Sequence, residues 1–262
     1  MWPGQRKKWR STPFPEERRR LAAARCALFV RLPEPDRPEL EGLTNVFLAE
    51  KRFEGCDGVV ITEEMRVVIA AQACLLLLHR QTDDYSLLRT VLVYPSHYYA
   101  QTTRPVGMGV LEESWQARAG ESWPAGAVVL AWDEVVRGAA DPATGNVVLH
   151  EFAHQLDYEN GGVADGIPAL GEGVPFRERP QRQAAWVGVM RSEYEQLRAR
   201  VQRGEDGVLR GYGATSPAEF FAVATEGFFG RPGELRQRHP ALYGELQWYY
   251  RQDPEGWGKG KA

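Results

Sequence analysis

The segment Asn146–Leu156, NVVLHEFAHQL, constrains this 262-residue chain more than any other. It holds His150-Glu151-Phe152-Ala153-His154, an H-E-x-x-H pattern, among apolar residues (Val147, Val148, Leu149, Phe152, Leu156) at helical spacing. Side chains four apart on a helix stand one above the other, so both imidazoles can reach one point while Glu151, a residue along, flanks it. Two unpartnered histidines would be costly on a buried helix. A metal ion removes that cost, and the expectation is that His150 and His154 hold Zn²⁺.

That chemistry requires three protein ligands and an open fourth position for a water, whose pKa the metal lowers toward ~7. Glu151 would take the water's proton and return it to the leaving amine. The third ligand must come from another element, because Asp157 and Asn160 stand where the pattern HExxHxxGxxH has Gly and His. The best source is Tyr212-Gly-Ala-Thr-Ser-Pro-Ala-Glu219-Phe-Phe-Ala-Val-Ala-Thr-Glu226, a helix entered through Ser216 and Pro217. Glu219 sits in its first turn and Glu226 seven residues later on the same face, so either can be the ligand. Glu219 also fits a capping box, S-x-x-E with Pro at the first helical position. Asp157, one turn beyond His154, has the spacing of a carboxylate that orients an imidazole, and equally that of a solvated acid at a helix end.

Composition narrows the alternatives. With 43% hydrophobic residues the chain can build a sizeable core, and a net charge of −3 offers no drive toward nucleic acid or an anionic membrane. Cys26, Cys56 and Cys74 include no C-x-x-C pair, which argues against a disulfide framework and a thiolate zinc site. The longest apolar run, Val67 to Leu78, is short of the roughly 20 residues that span a bilayer. The basic start MWPGQRKKWR is followed by Glu16, Glu17 and Arg18 to Arg20, and Arg25 interrupts the next apolar stretch, unlike an export signal. A cytoplasmic location is expected, with no nucleic-acid or membrane partner.

Periodicity predicts helices over Glu17–Phe29, Pro38–Phe53 and Glu63–His79, the last apolar nearly all round. Strands are predicted at Thr90–Tyr94 and Ala127–Trp132, with strand pieces or a long excursion between Tyr98 and Gly126. Further helices follow at Val147–Leu156, Gln183–Val201, Pro217–Phe229 and Pro240–Arg251, with loops at Glu159–Arg179 and Arg203–Gly213. The expected fold is α+β: a zincin-like metallopeptidase with a small mixed sheet, an active-site helix and a helical amino-terminal lobe. The expected organisation is a mobile basic arm (1–20), a helical lobe (21–85), a catalytic domain (86–252) and a disordered tail (253–262). The strand Ala127–Trp132, just before the metal helix, is expected to be the edge that receives a peptide substrate. His79, His97 and His239 read as structural, and Trp248, Tyr249 and Tyr250 as core packing.

HEFAHQLD with YGATSPAEFFAVATEGFF, AEKRFEGC, AQACLLLL, VLVYP and VLAW resembles the Mlc titration factor A family of bacterial zinc peptidases, from about Leu43 to Tyr250. The two metal-site segments are also similar to the catalytic domain of lethal-factor-type metalloproteases. The resemblance implies zinc ligands at His150, His154 and Glu219, a general base at Glu151, and a tyrosine, Tyr212, that stabilises the transition state. It also implies cytosolic, aminopeptidase-like activity on a peptide or protein substrate, and a transcriptional repressor of the Mlc type as partner. Some relatives place an extra histidine on the metal in the resting enzyme; this chain has no histidine between His97 and His150, so that self-inhibition is not carried over. The alternative function is a non-catalytic regulator that sequesters a repressor and keeps a vestigial zinc site.

Overall fold

The computed structural model describes residues 3–80, 85–105, 111–123 and 126–258. Its amino-terminal part is helical: α1 (Pro3–Ser11), α2 (Glu16–Arg25), α3 (Ala27–Arg31) and α4 (Arg37–Glu50). The segment expected to be a mobile arm is thus helical from Pro3, and it is tied to α4. Arg6 Nη2 donates to Glu50 Oε2 at 2.7 Å and Asn45 Nδ2 to the Thr12 carbonyl at 2.8 Å. Gly42 admits this packing, since a Cβ there would lie 2.6 Å from the Arg10 carbonyl oxygen.

α4 stops at Glu50, short of the expected Phe53, and Arg52–Gly55 forms a strand, β1. The cause is Lys51, whose buried Nζ donates to the carbonyls of Tyr85 (2.7 Å) and Leu88 (2.9 Å) and draws the chain out of the helix. α5 (Glu63–Leu75) starts at Thr62, whose Oγ1 accepts from Met65 N, and every residue from Val67 to Leu75 is buried. It ends four residues before the expected His79, which takes a left-handed φ of 62° as the chain turns back.

The sheet strands follow: β2 (Thr90–Tyr94), β3 (Tyr98–Pro105), β4 (Leu111–Arg118), β5 (Gly120–Trp123) and β6 (Ala127–Ala131). β3 and β4 make a separate antiparallel hairpin within the stretch expected as strand pieces; residues 106–110 and 124–125 lie outside the described ones. The main sheet has the order β1-β2-β6-β5, with β1, β2 and β6 parallel and β5 antiparallel to β6. The strand expected to be the free edge, Ala127–Trp132, is therefore an inner one, covered by β5, and Trp132 already belongs to the next helix.

That helix is α6 (Trp132–Ala140), unanticipated; α7 (Val147–Tyr158), α8 (Arg179–Gln202), α9 (Pro217–Gly230), α10 (Pro232–Arg238) and α11 (Pro240–Tyr250) follow. The protein is mostly helical with a small mixed sheet. Phe47 of α4, Tyr85 and Phe152 of α7 pack ring to ring, with centroids 4.9 to 6.2 Å apart. The expected boundary at residue 85 is thus bridged by an aromatic cluster as well as by the β1–β2 pairing. Trp186 of α8, fully buried, packs on Phe221 and Tyr249, which with Tyr250 fill the core under α11 as expected, whereas Trp248 is exposed and lies under the Arg182 guanidinium instead of in the core. In the segment expected as a disordered tail, Pro254 and Trp257 are buried, the latter against Phe229; residues 259–262 lie outside the described ones. No helix of the described residues is long and apolar enough to cross a membrane.

Candidate metal centre

The site is built on α7, and α7 is anchored by its first residue. Asn146 caps the helix, its Oδ1 accepting from Leu149 N at 3.0 Å, while its Nδ2 donates to Gln72 Oε1 of α5 and to the Gly138 carbonyl of α6. Its backbone N–H donates to Glu226 Oε2 of α9 at 2.6 Å. A helix fixed at its start to three neighbours cannot slide, and a cap of this kind contributes roughly 1 kcal/mol by itself. Every residue of α7 from Val148 to Asp157 is buried.

α9 approaches from the other side. Ser216 Oγ accepts from Glu219 N, with Pro217 at the first helical position, so the expected cap is present. The Glu219 carboxylate goes elsewhere: its Oε2 lies 2.9 Å from His150 Nε2 and 3.4 Å from His154 Nε2. Ligand atoms of His150, His154 and Glu219 fall within 4.8 Å of one another. Tetrahedral ligands about 2.0–2.1 Å from an ion are roughly 3.3 Å apart, and two imidazoles with one carboxylate are a donor set for a divalent metal. The residues present fit such an ion.

Glu226 grips the other side of the first histidine. Its Oε1 is 2.8 Å from His150 Nδ1 and also accepts from Arg210 Nη2. A ring whose Nδ1 is engaged by a carboxylate presents Nε2 outward in a fixed orientation, as metal-binding histidines require. The two glutamates that the sequence leaves as alternatives thus hold opposite nitrogens of one imidazole. The spacing of seven residues, two turns of one face, was the available signal for this. Asp157 does not take the orienting role: its Oδ2 accepts from Gly166 N at 2.7 Å, and its buried Oδ1 has no partner among the described residues. Gly166, at a φ of 80°, passes under the Pro217 carbonyl where a Cβ would not fit, and so the loop after α7 is held against the start of α9.

Charge is concentrated here. Burial works against a proton on His150, but its hydrogen bonds with Glu219 and Glu226 outweigh burial and raise its pKa to about 10. Burial likewise pushes Glu219 up, yet the two imidazoles hold it well below the usual carboxylate range. An ion held by these groups would take the place of that proton. Glu151 is different: burial raises its pKa, and nearby His150 and His154 only partly offset the rise.

The site opens into a cleft of about 620 Å³, with Gly120, Glu121 and Ser122 of β5 on one wall and Tyr212 and Ala218 on the other. Tyr212, 56% exposed, stands at the rim with its ring 6.0 Å from that of His150. His97 also lines the cleft, near Asp133 and Glu134, and Glu134 is paired with Arg137. His79 and His239 lie within hydrogen-bond distance of the Glu39 and Glu193 carboxylates instead.

Residues 2–251 match the model of a family described as glucose-regulated metallo-peptidase M90. A Synechocystis protein, slr2042, is 41% identical over 245 residues, covering 92% of this chain and 86% of its own length. Mlc titration factor A of Serratia proteamaculans is 32% identical over 225 residues (85% and 82%), and that of Yersinia pestis 30% identical over 234 (88% and 83%).

Proposed function

The chain belongs to the glucose-regulated metallo-peptidase M90 family, and on that premise we propose that it is a zinc-dependent peptidase of the zincin kind, with aminopeptidase-like action. His150, His154 and Glu219 would hold the metal, and Zn²⁺ bound there supplies Lewis-acid activation of water and of the scissile carbonyl. Glu151 accepts the proton of the attacking water and delivers it to the leaving amine; its raised pKa suits a group that must both take and return a proton near neutrality. Glu226, backed by Arg210 and the Asn146 amide, keeps the His150 ring turned toward the metal. Tyr212 donates its phenolic hydrogen bond to the carbonyl oxygen as negative charge gathers on it.

The observation that carries this reading is a buried carboxylate, Glu151, beside a three-donor cluster that faces an open cleft. A purely structural zinc site closes its fourth position with a protein ligand and has no use for a general base. A second reading, regulation through a protein partner, is supported by the name Mlc titration factor A that two of the relatives bear. In that reading the chain binds a repressor of the Mlc type, in the cytoplasm, and the metal site serves the fold. Zinc analysis with a peptide-library digest of wild type and Glu151→Gln separates the two. The peptidase reading expects about one zinc per chain in both proteins and turnover lower by roughly 10²–10⁴-fold in the variant. A fully active Glu151→Gln protein overturns it.

A further inference from the structure

β5 is the outer strand of the sheet and the one that lines the cleft. Its register fixes which backbone groups face the open edge, where the Ser122 carbonyl already accepts from Tyr158 OH. Ala131 N donates to the Ala119 carbonyl at 2.8 Å, so Ala119, Glu121 and Trp123 direct their N–H and C=O groups at β6. Gly120 and Ser122, alternating with them, direct theirs at the open edge. The faces alternate too. Ser122 points toward α7, where its Oγ accepts from Gln155 Nε2, and the Cβ position of Gly120 points the same way.

At Gly120 there is no room for a side chain. A Cβ built there would lie 2.7 Å from Glu151 Oε1, 2.8 Å from Glu151 Cγ and 2.7 Å from Val147 Cγ2, well inside ordinary contact. The backbone at 120 is not left-handed, so the requirement is for space alone. At this point the strand leaves the Glu151 carboxylate no more room than a bare α-carbon allows.

We infer that Gly120 is a positioning residue for the peptidase reaction: its bare α-carbon lets the Glu151 carboxylate lie flat against the edge strand, next to the backbone groups that receive the peptide. The inference rests on the peptidase reading above. The bare strand does two things at once: the outward groups of Gly120 and the Ser122 N–H hold the substrate backbone, and its inward face sets the depth of the general base. Any side chain at 120 must push Glu151 away from the strand or push the strand away from α7. The first moves the base off the attacking water and the second moves the substrate, and a displacement of about 1 Å can lower turnover by roughly 10²-fold.

The test compares wild type, Gly120→Ala, Val147→Ala and the double variant. Gly120→Ala is expected to keep zinc while kcat falls by about 10- to 100-fold, with KM within about twofold because the outward backbone groups are unchanged. The double variant removes the Val147 contact and leaves the Glu151 contact. It should therefore regain melting temperature relative to Gly120→Ala while kcat stays low relative to Val147→Ala. Wild-type kcat in Gly120→Ala, or recovery of kcat together with stability in the double variant, overturns the inference and reduces Gly120 to a packing position. A crystal structure of metal-free Gly120→Ala decides the matter independently of activity. Displacement of Glu151 or β5 supports the inference, and superposition of both on the wild type overturns it. Failure of the wild type to cleave peptides would sink the peptidase reading and still leave that structural result to judge the role of Gly120 in placing Glu151.

Discussion

At the scale of single residues, one histidine organises the centre. His150 meets Glu219 at Nε2 and Glu226 at Nδ1, so the glutamates have separable duties. Glu219→Ala is expected to strip zinc or weaken it strongly, whereas Glu226→Gln should weaken binding by about 10- to 100-fold, the usual effect of losing an orienting carboxylate. Competition with a chelator checks both, and equal loss in the two variants would mean that Glu226 ligates. Asp157 makes a second, electrostatic prediction. Burial raises its pKa to about 6 from an ordinary 3.8, with the Gly166 N–H opposing, so between these values the folded chain holds a proton that the unfolded chain has lost. Stability must then fall as pH rises through this window, by about 3 kcal/mol once both states are ionised. In metal-free protein, the stability advantage of Asp157→Asn over wild type should grow from about pH 4 to pH 6 and level off above. A constant difference across that range, measured by denaturant unfolding, would contradict the assignment.

At the scale of elements, α7 and β5 pack side by side along one wall of the cleft. α7 lays Val147, Glu151 and Gln155 along the strand at four-residue steps, and Tyr158 OH donates to the Ser122 carbonyl at 3.4 Å at the far end. The edge that the substrate would join is therefore β5 and not β6, which is paired on both sides. Adding a tight, uncleaved peptide should slow hydrogen exchange at the Gly120 and Ser122 amides, the free donors of the edge, with no change at Val128 and Leu130, whose amides face β2. Protection absent from β5 but present elsewhere in the cleft would place the peptide on another wall.

At the scale of the whole molecule, the helical amino-terminal part and the site share one core. β1 pairs with β2 across residue 85, Gln72 of α5 holds the cap of α7, and Phe47 lies against Phe152, which stands between His150 and His154 in the sequence. A fragment beginning at residue 86 would expose the apolar face of α7 and lose a sheet strand. It is expected to show no cooperative thermal transition, whereas the full chain should melt in one step if the parts are as interlocked as these contacts make them. An independently folding, metal-binding fragment would support the division at residue 85.

Spacing alone exposed the helix that carries His150 and His154 and the acidic helix that meets it, because i,i+4 and i,i+7 spacings are local properties of one helix. The sequence also carried the start of α9, since Ser216 and Pro217 act within a single turn. It did not reveal the end of α4, which is set by carbonyls of Tyr85 and Leu88 more than thirty residues away, nor which of two glutamates takes which nitrogen of His150. The edge strand was out of reach for the same reason. β5 is four residues long and carries little apolar signal, and only its pairing with β6 and its packing against Glu151 distinguish Gly120 from a glycine in any loop. Local periodicity is written in neighbouring residues. Which strand is outermost, and how closely it approaches a helix, is decided by contacts between segments distant in sequence, and only the folded chain contains them.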